Sequence, residues 1–460
     1  MASVSPHPLD VELLRCHDVA GPRYTSYPTA DRFVEAHQAA PHGQALSMRG
    51  AAQPVSVYVH VPFCEQLCHF CACNQFITRH HERAAPYLAA LDLEMGLTAA
   101  ALGGHAPVSQ LHFGGGSPTF LSDAELSTLL ALLRRHFRLL PGAELSIEVD
   151  PRTVHAGRLA HLRALGFHRL SFGVQDFDPA VQKAVHREQP HARVASQILA
   201  ARQLGFASIS VDLIYGLPLQ TPASFASTLA QVAALRPDRI AMYAYAHLPQ
   251  RFKPQRRIAA RLLPPAGDKL AMLSGAISAL LEEGYHYIGM DHFALPDDPL
   301  AAAKRQGRLH RNFQGYSTQP DLDLIGLGVS AISRVGPTYA QNATSLQAYE
   351  DALHRAQLPV QRGLSLSRDD LLRRTVIMAL MCQGRVEFEA IAWAHHVDMP
   401  SHFSVEFEQL KPMAEQGLVC LEPGAIQLTP LGWYFVQAVA LVFDRYSQAD
   451  ARRDRYSKLL

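Results

Sequence analysis

The chain has 460 residues, of which 48% are apolar and 18% charged, with a formal net charge of +1. That length exceeds what one small core needs, and the balance is that of an ordinary globular protein. A charge near zero supplies no global field for nucleic acid or an anionic membrane. The opening MASVSPHPLDVELLRCHDV lacks the apolar run of a signal or transit peptide, and Leu431 to Phe443 is broken by Gln437 and too short to span a bilayer. The expectation is a soluble cytoplasmic protein with no nucleic-acid and no membrane partner.

Residues 1–54 form a Pro- and His-rich extension that contains RYTSYPT at 23–29. From residue 55, strand-like and helix-like segments alternate. The predicted strands are Val55–Val61, Gln110–Phe113, Leu145–Val149, Arg169–Val174, Ser208–Ile214 and Arg239–Tyr245, runs rich in Val, Ile and aromatics. Between them lie predicted helices at Ala84–Leu102, Ala124–Phe137, Val154–Leu165, Arg193–Leu204, Pro222–Leu235 and Gly267–Glu283. The second opens on a capping box, Ser122-Asp-Ala-Glu125. Six such units, with an extra strand at Tyr285–Met290, predict an α/β fold with parallel strands and crossover helices. Alternation alone leaves a flat sheet open. A partial (β/α)6 TIM-like barrel is favoured because the polar candidates sit at the C-terminal ends of successive strands. The division expected is 1–54, 55–360 and 361–460. The last part reads as mainly helical and winged-helix-like, with the hairpin LVCLEPGAIQLT. Its preceding helix, SVEFEQLKPMAEQG, carries more acid than base, the wrong sign for phosphate.

Of seven cysteines, Cys64, Cys68, Cys71 and Cys73 share one ten-residue window, in VHVPFCEQLCHFCACN. The C-x3-C-x2-C spacing lets a loop after a strand wrap three thiolates around one 4Fe–4S cluster. A structural zinc ion would draw its ligands from two separated pairs, which this crowding suits poorly. Spacing alone leaves open which three thiols bind. Three ligands for four irons leave one iron free to chelate S-adenosylmethionine, whose S–C5′ bond then breaks on one-electron reduction.

C-x3-C-x2-C resembles the signature of the radical S-adenosylmethionine superfamily, and Cys71-Ala-Cys73-Asn74 resembles its oxygen-independent coproporphyrinogen III oxidase branch. The likeness continues in order through RYTSYPT, LHFGGGSPTFL, SIEVDPRT, RLSFGVQDFD, VHREQ, VDLIYGLPLQT, YAHLP, IGMDHFALPDD, HRNFQGYSTQ and LIGLGVSAIS. Ala72 stands where the family has Gly, and Ser117 where it has Thr. The resemblance implies a radical SAM-type partial barrel with an N-terminal extension and a C-terminal helical domain over its opening. It implies Cys64, Cys68 and Cys71 as cluster ligands, with Cys73 required but not ligating. It also implies two S-adenosylmethionines per chain. Tyr58, Gly115, Glu148 and Ile332 would line the first, and Phe70, Gly116, Ser117, Gln175, Arg187, Asp212 and Ala246 the second.

The residues support part of this independently. Gly114-Gly-Gly116 permits close backbone approach and offers N–H groups to a carboxylate, although a glycine triplet alone also serves tight turns. Glu148, Asp150, Gln175, Asp176 and Asp212 are strand-end groups able to accept bonds from ribose hydroxyls or an ammonium, and Arg187 could clamp a carboxylate. Arg251, Lys253, Arg256 and Arg257 form a basic run that reads as a solvated face. The resemblance places Phe313 and Gln314 at the reaction site, and Tyr24 and Tyr27 in a latch over the opening. The implied reaction is oxidative decarboxylation of two propionates of coproporphyrinogen III to vinyl groups, giving protoporphyrinogen IX. An electron donor such as flavodoxin or ferredoxin and a monomeric state go with it. The rival is a haem-binding chaperone of the same superfamily. That branch lacks the second half of Cys71-x-Cys73, RYTSYP and HRNFQGY, all present here.

Overall fold

The computed structural model describes residues 11–17, 21–36, 39–313 and 315–449. Six strands follow one another in parallel: β1 (Val55–Val61), β2 (Pro107–Gly115), β3 (Arg138–Val149), β4 (Arg169–Gln175), β5 (Ser208–Tyr215) and β6 (Arg239–Ala244). Helices return the chain between them. Ser122 and Thr221 both make reciprocal capping boxes, which supply partners for N–H groups that the first helical turn leaves unpaired.

The alternation of side chains decides what this sheet encloses. Along β4, Leu170, Phe172 and Val174 are buried against the helices, while Arg169, Ser171, Gly173 and Gln175 take the other face. Along β5 the corresponding inner positions are Ser208, Ser210 and Asp212. The interior is therefore polar, and it is continuous with Gln110, His112, Glu144 and Glu148 of β2 and β3. Ion pairs Arg169–Glu144 and Arg239–Asp298 stand at the N-terminal end of this interior, at 2.5 and 2.8 Å.

Two features exceed the sequence reading. Beyond β6 the expected extra strand is half of an antiparallel hairpin, β7 (His286–Gly289) and β8 (His292–Ala294). On the other edge, β9 (Asp323–Leu327) runs parallel to β1. It starts an antiparallel run through β10 (Ile332–Val335), β11 (Thr338–Asn342) and β12 (Val360–Ser365). The whole is a twelve-stranded sheet ordered β12-β11-β10-β9-β1-β2-β3-β4-β5-β6-β8-β7.

The C-terminal part has the helix Arg368–Gln383 and a three-stranded sheet, β13 (Arg385–Glu387), β14 (Val419–Glu422) and β15 (Ala425–Leu428), whose last two strands are the expected hairpin. The closing helix is broken, a 3-10 turn at Gly432–Phe435 preceding Val436–Leu441. Tyr24 and Tyr27 are fully buried in the same apolar cluster as Val376, Leu380, Phe403 and Phe443. Arg23 pairs with Asp291 and donates to the carbonyl of Ala244 at the end of β6, so the N-terminal segment crosses the C-terminal end of the barrel. No helix among the described residues is long and apolar enough to cross a membrane.

Candidate active site

The loop that follows β1 is closed at its neck. Phe63–Cys64 pairs in parallel with Phe76–Ile77, through Phe76 N to Pro62 O (2.8 Å) and Thr78 N to Cys64 O (2.9 Å). Its far side is pinned by His69 N to Val185 O (2.9 Å), and buried Gln255 donates to Phe70 O at 3.1 Å. Cys68 is buried, Cys64 and Cys71 are half-buried and Cys73 is exposed. All four open on one cavity, which Phe70, Gly115, Gly116, Ser117, Glu148, Gln175, Arg187 and Asp212 also line.

Burial pushes the Cys64 thiol up, and the nearby Cys71 and Cys68 sulfurs add to the effect. The Cys73 side chain hydrogen-bonds Cys71 and, against burial and with the Cys73 backbone N–H at 3.4 Å, draws Cys71 down to about 7. Arg187 Nη1 and Arg152 Nη2 approach Cys68 Sγ at 3.4 and 3.5 Å. Buried thiolates this close to one another need a cationic partner. Among the described residues no three His, Cys, Asp or Glu side chains converge as ligands of one ion. Thiols gathered on one cavity with two guanidiniums against Cys68 fit a 4Fe–4S cluster, whose thiolate ligands carry negative charge.

The glycines lie where a side chain would collide. A Cβ on Gly114 would stand 2.8 Å from Glu148 Oε1, and one on Gly116 2.6 Å from Pro62 O. Gly115, at φ +122°, would press on the His60 ring at 2.8 Å, and its N–H donates to Glu148 Oε2 at 3.2 Å. His60 bridges Tyr58 Oη (3.0 Å) and Asn74 O (2.9 Å), which ties β1 to the end of the cysteine loop. Deeper in, Ser171 Oγ donates to Asp212 Oδ2 at 2.9 Å, and burial, reinforced by Glu148, lifts the Asp212 carboxyl to about 7.

Other expected residues lie elsewhere. The Tyr58 ring stacks on His112 at 5.9 Å, Ile332 begins β10, Ala246 follows β6, and the Phe313 ring packs edge-on against Tyr339 at 5.9 Å. None of these four lines the cysteine cavity, and Gln314 lies outside the described residues. Arg251, Lys253, Arg256 and Arg257 are all exposed.

Two readings of the polar groups, Asp176 and Asp212, need correction. Asp176 is buried and engaged by Thr228 Oγ1, Gln220 Nε2 and the Asp178 N–H, so it does not offer its carboxylate to the cavity. Arg187 donates twice to Gly173 O, with Asp150 Oδ2 3.6 Å away. Asp212 sits within β5 rather than at its end. Arg152 stands in the SIEVDPRT segment two residues after Asp150, where no spacing signal singles it out. It grips that carboxylate through Nε (3.0 Å) and Nη2 (2.7 Å). Burial would raise Asp150, but Arg187 and Arg152 hold it down to about 2.

Comparison with known proteins agrees with this architecture. The Radical SAM superfamily matches residues 58–232, and the HemN C-terminal domain matches 366–435. The chain is 47% identical to an oxygen-independent coproporphyrinogen III oxidase of Pseudomonas aeruginosa and 46% identical to that of Escherichia coli, with 98% of each chain covered in both cases. The solved Escherichia coli coproporphyrinogen III oxidase, described as a radical SAM enzyme, superposes with a TM-score of 0.90 at 45% identity, covering 95% of this chain and 99% of that one. Near-complete coverage at such identity, on a barrel whose cysteine loop meets a glycine ridge, shows that the chain belongs to the oxygen-independent coproporphyrinogen III oxidase family of radical SAM enzymes.

Proposed function

We propose that the chain converts coproporphyrinogen III to protoporphyrinogen IX without oxygen, by oxidative decarboxylation of two propionates to vinyl groups. The observation that carries the reading is the single cavity shared by the cysteine loop, the glycine ridge and the inward carboxylates of β3 and β5. A 4Fe–4S cluster and S-adenosylmethionine, when bound, supply a carbon radical able to take hydrogen from an unactivated position.

The chain's own residues bind, orient and exclude water. Cys64, Cys68 and Cys71 would hold the cluster, while Gly115, Glu148, Tyr58 and Ile332 would hold one S-adenosylmethionine. Phe70, Gly116, Ser117, Gln175, Arg187 and Asp212 line the cysteine cavity and would hold a second, and Ala246, after β6, is assigned to the same ligand by the family resemblance alone. Phe313 and Gln314 belong to the substrate side, and the latch through Arg23, Tyr24 and Tyr27 keeps the reaction from solvent. The division into 1–54, 55–360 and 361–460 follows these tasks. A small redox protein, flavodoxin or ferredoxin in kind, would supply electrons to a cytoplasmic monomer.

The test is an anaerobic assay of the reconstituted protein with reductant, S-adenosylmethionine and coproporphyrinogen III. Protoporphyrin, read after oxidation, should appear together with 5′-deoxyadenosine and vanish in Cys68→Ser. Deoxyadenosine without protoporphyrin would sink the substrate assignment and favour the haem-binding chaperone.

A further inference from the structure

We propose that Arg152 sets the reduction potential of the cluster through Cys68. The inference rests on the reading that Cys64, Cys68 and Cys71 hold that cluster. Arg152 is a positioning residue here: it touches a ligand sulfur and none of the reacting atoms.

The guanidinium is held on three sides. Asp150 takes Nε and Nη2, Gln66 Oε1 takes Nη1 at 3.1 Å, and Nη2 also points to Cys68 Sγ at 3.5 Å. Its side chain is 12% exposed, so the charge acts through protein more than through water. Arg187 approaches the same sulfur from the other side, and both cations share the single carboxylate of Asp150. Two positive charges against one negative leave an excess of one beside Cys68. Hydrogen bonds to ligand sulfurs and the net charge around a cluster are the protein's levers on its potential. Each electron added makes the sulfurs more negative, so a fixed N–H donor and a cation stabilise the reduced form more than the oxidised one. Arg152 accordingly raises the potential and eases reduction by a weak donor.

The experiment is a potentiometric titration of the reconstituted full-length protein, followed by the paramagnetic signal of the reduced cluster without S-adenosylmethionine. Arg152→Gln should move the midpoint to more negative values by about tenfold in the one-electron equilibrium constant, about 59 mV. Iron content should match wild type. Arg152→Lys keeps the charge and loses the fork, and should give a smaller shift of the same sign. Exposed Arg251→Gln serves as the unshifted control. A fully loaded variant at the wild-type midpoint overturns the proposal. So does failure of both variants to hold iron, which would make Arg152 part of the scaffold. A wild-type protein that takes up no cluster would instead refute the reading of the three cysteines.

Discussion

Cys73 differs from its three neighbours in kind. It is exposed, and its side chain and N–H both reach Cys71, although it opens on the same cavity. Replacing Cys64, Cys68 or Cys71 by Ser should abolish the visible absorbance of the reconstituted cluster, whereas Cys73→Ser should retain it and lose porphyrin formation. Equal loss of absorbance in all four would place Cys73 among the ligands. Gly115 is the other residue where geometry leaves no latitude. At φ +122° a side chain is strained, and a Cβ there would also meet the His60 ring at 2.8 Å and Val61 O at 2.9 Å. Gly115→Ala should therefore weaken S-adenosylmethionine binding at least ~10-fold, about 1.4 kcal/mol, with the cluster still present. Equilibrium binding of the ligand to the loaded protein measures it, and an unchanged affinity would remove Gly115 from the site.

The N-terminal latch is an element whose hold depends on buried polar bonds. Tyr24 Oη donates to Asp444 Oδ2 at 2.9 Å with both side chains inside the protein, and Ser447 Oγ donates to the same oxygen at 2.7 Å. Tyr24→Phe removes a hydroxyl and leaves a buried carboxylate short of one partner, a loss of about 1–3 kcal/mol. Urea unfolding should show it, with faster proteolysis near the N-terminus; a change below about 0.5 kcal/mol would mean the latch is held by packing alone. Elements of this size were legible in the sequence where their signal is local. The six parallel strands announce themselves by composition, and the cysteine spacing names its chemistry within eight residues. The β9–β12 run did not, because its strands are short and its register comes from distant partners, Asp323 pairing with Val55. Asp176 was misread for a related reason. The β4–β5 register shifts between Gly173 and Gln175, and Gln175 adopts φ +70°, so alternation fails just before the carboxylate and turns it toward Thr228. Arg152 and His60 act through tertiary contacts that no spacing encodes.

At the scale of the whole molecule, the barrel and its antiparallel extension share the β1–β9 pairing, and one carboxylate adds a second tie through the helix Ala84–Ala101. Glu94 is 2% exposed and accepts from Gly328 N, Asn342 Nδ2 and Tyr349 Oη, each at 2.6 Å. Tyr87, on the same helix, adds its hydroxyl to His60 O and takes the Val329 N–H. One helix thus fixes both the strand before the cysteine loop and the turn leading to Ile332. Burial pushes the Glu94 carboxyl up to about 7, against the pull of its three donors. The native protein therefore keeps this proton more tightly than the unfolded chain, whose glutamate titrates near 4.5. Below that value both states are protonated and Glu94 contributes no pH dependence. Between 4.5 and 7 the unfolded chain has lost the proton and the native state has not, so stability falls as pH rises, and above 7 the dependence ends. The span corresponds to about 3 kcal/mol. Glu94→Gln cannot ionise and should flatten that slope, so that the wild type, set against the variant, loses stability steadily from pH 5 to 7.5. Denaturant unfolding of both proteins across this range measures the difference directly. Parallel profiles would mean that Glu94 is ionised throughout, its three donors outweighing burial, and the joint would then be a fixed anion rather than a titrating one.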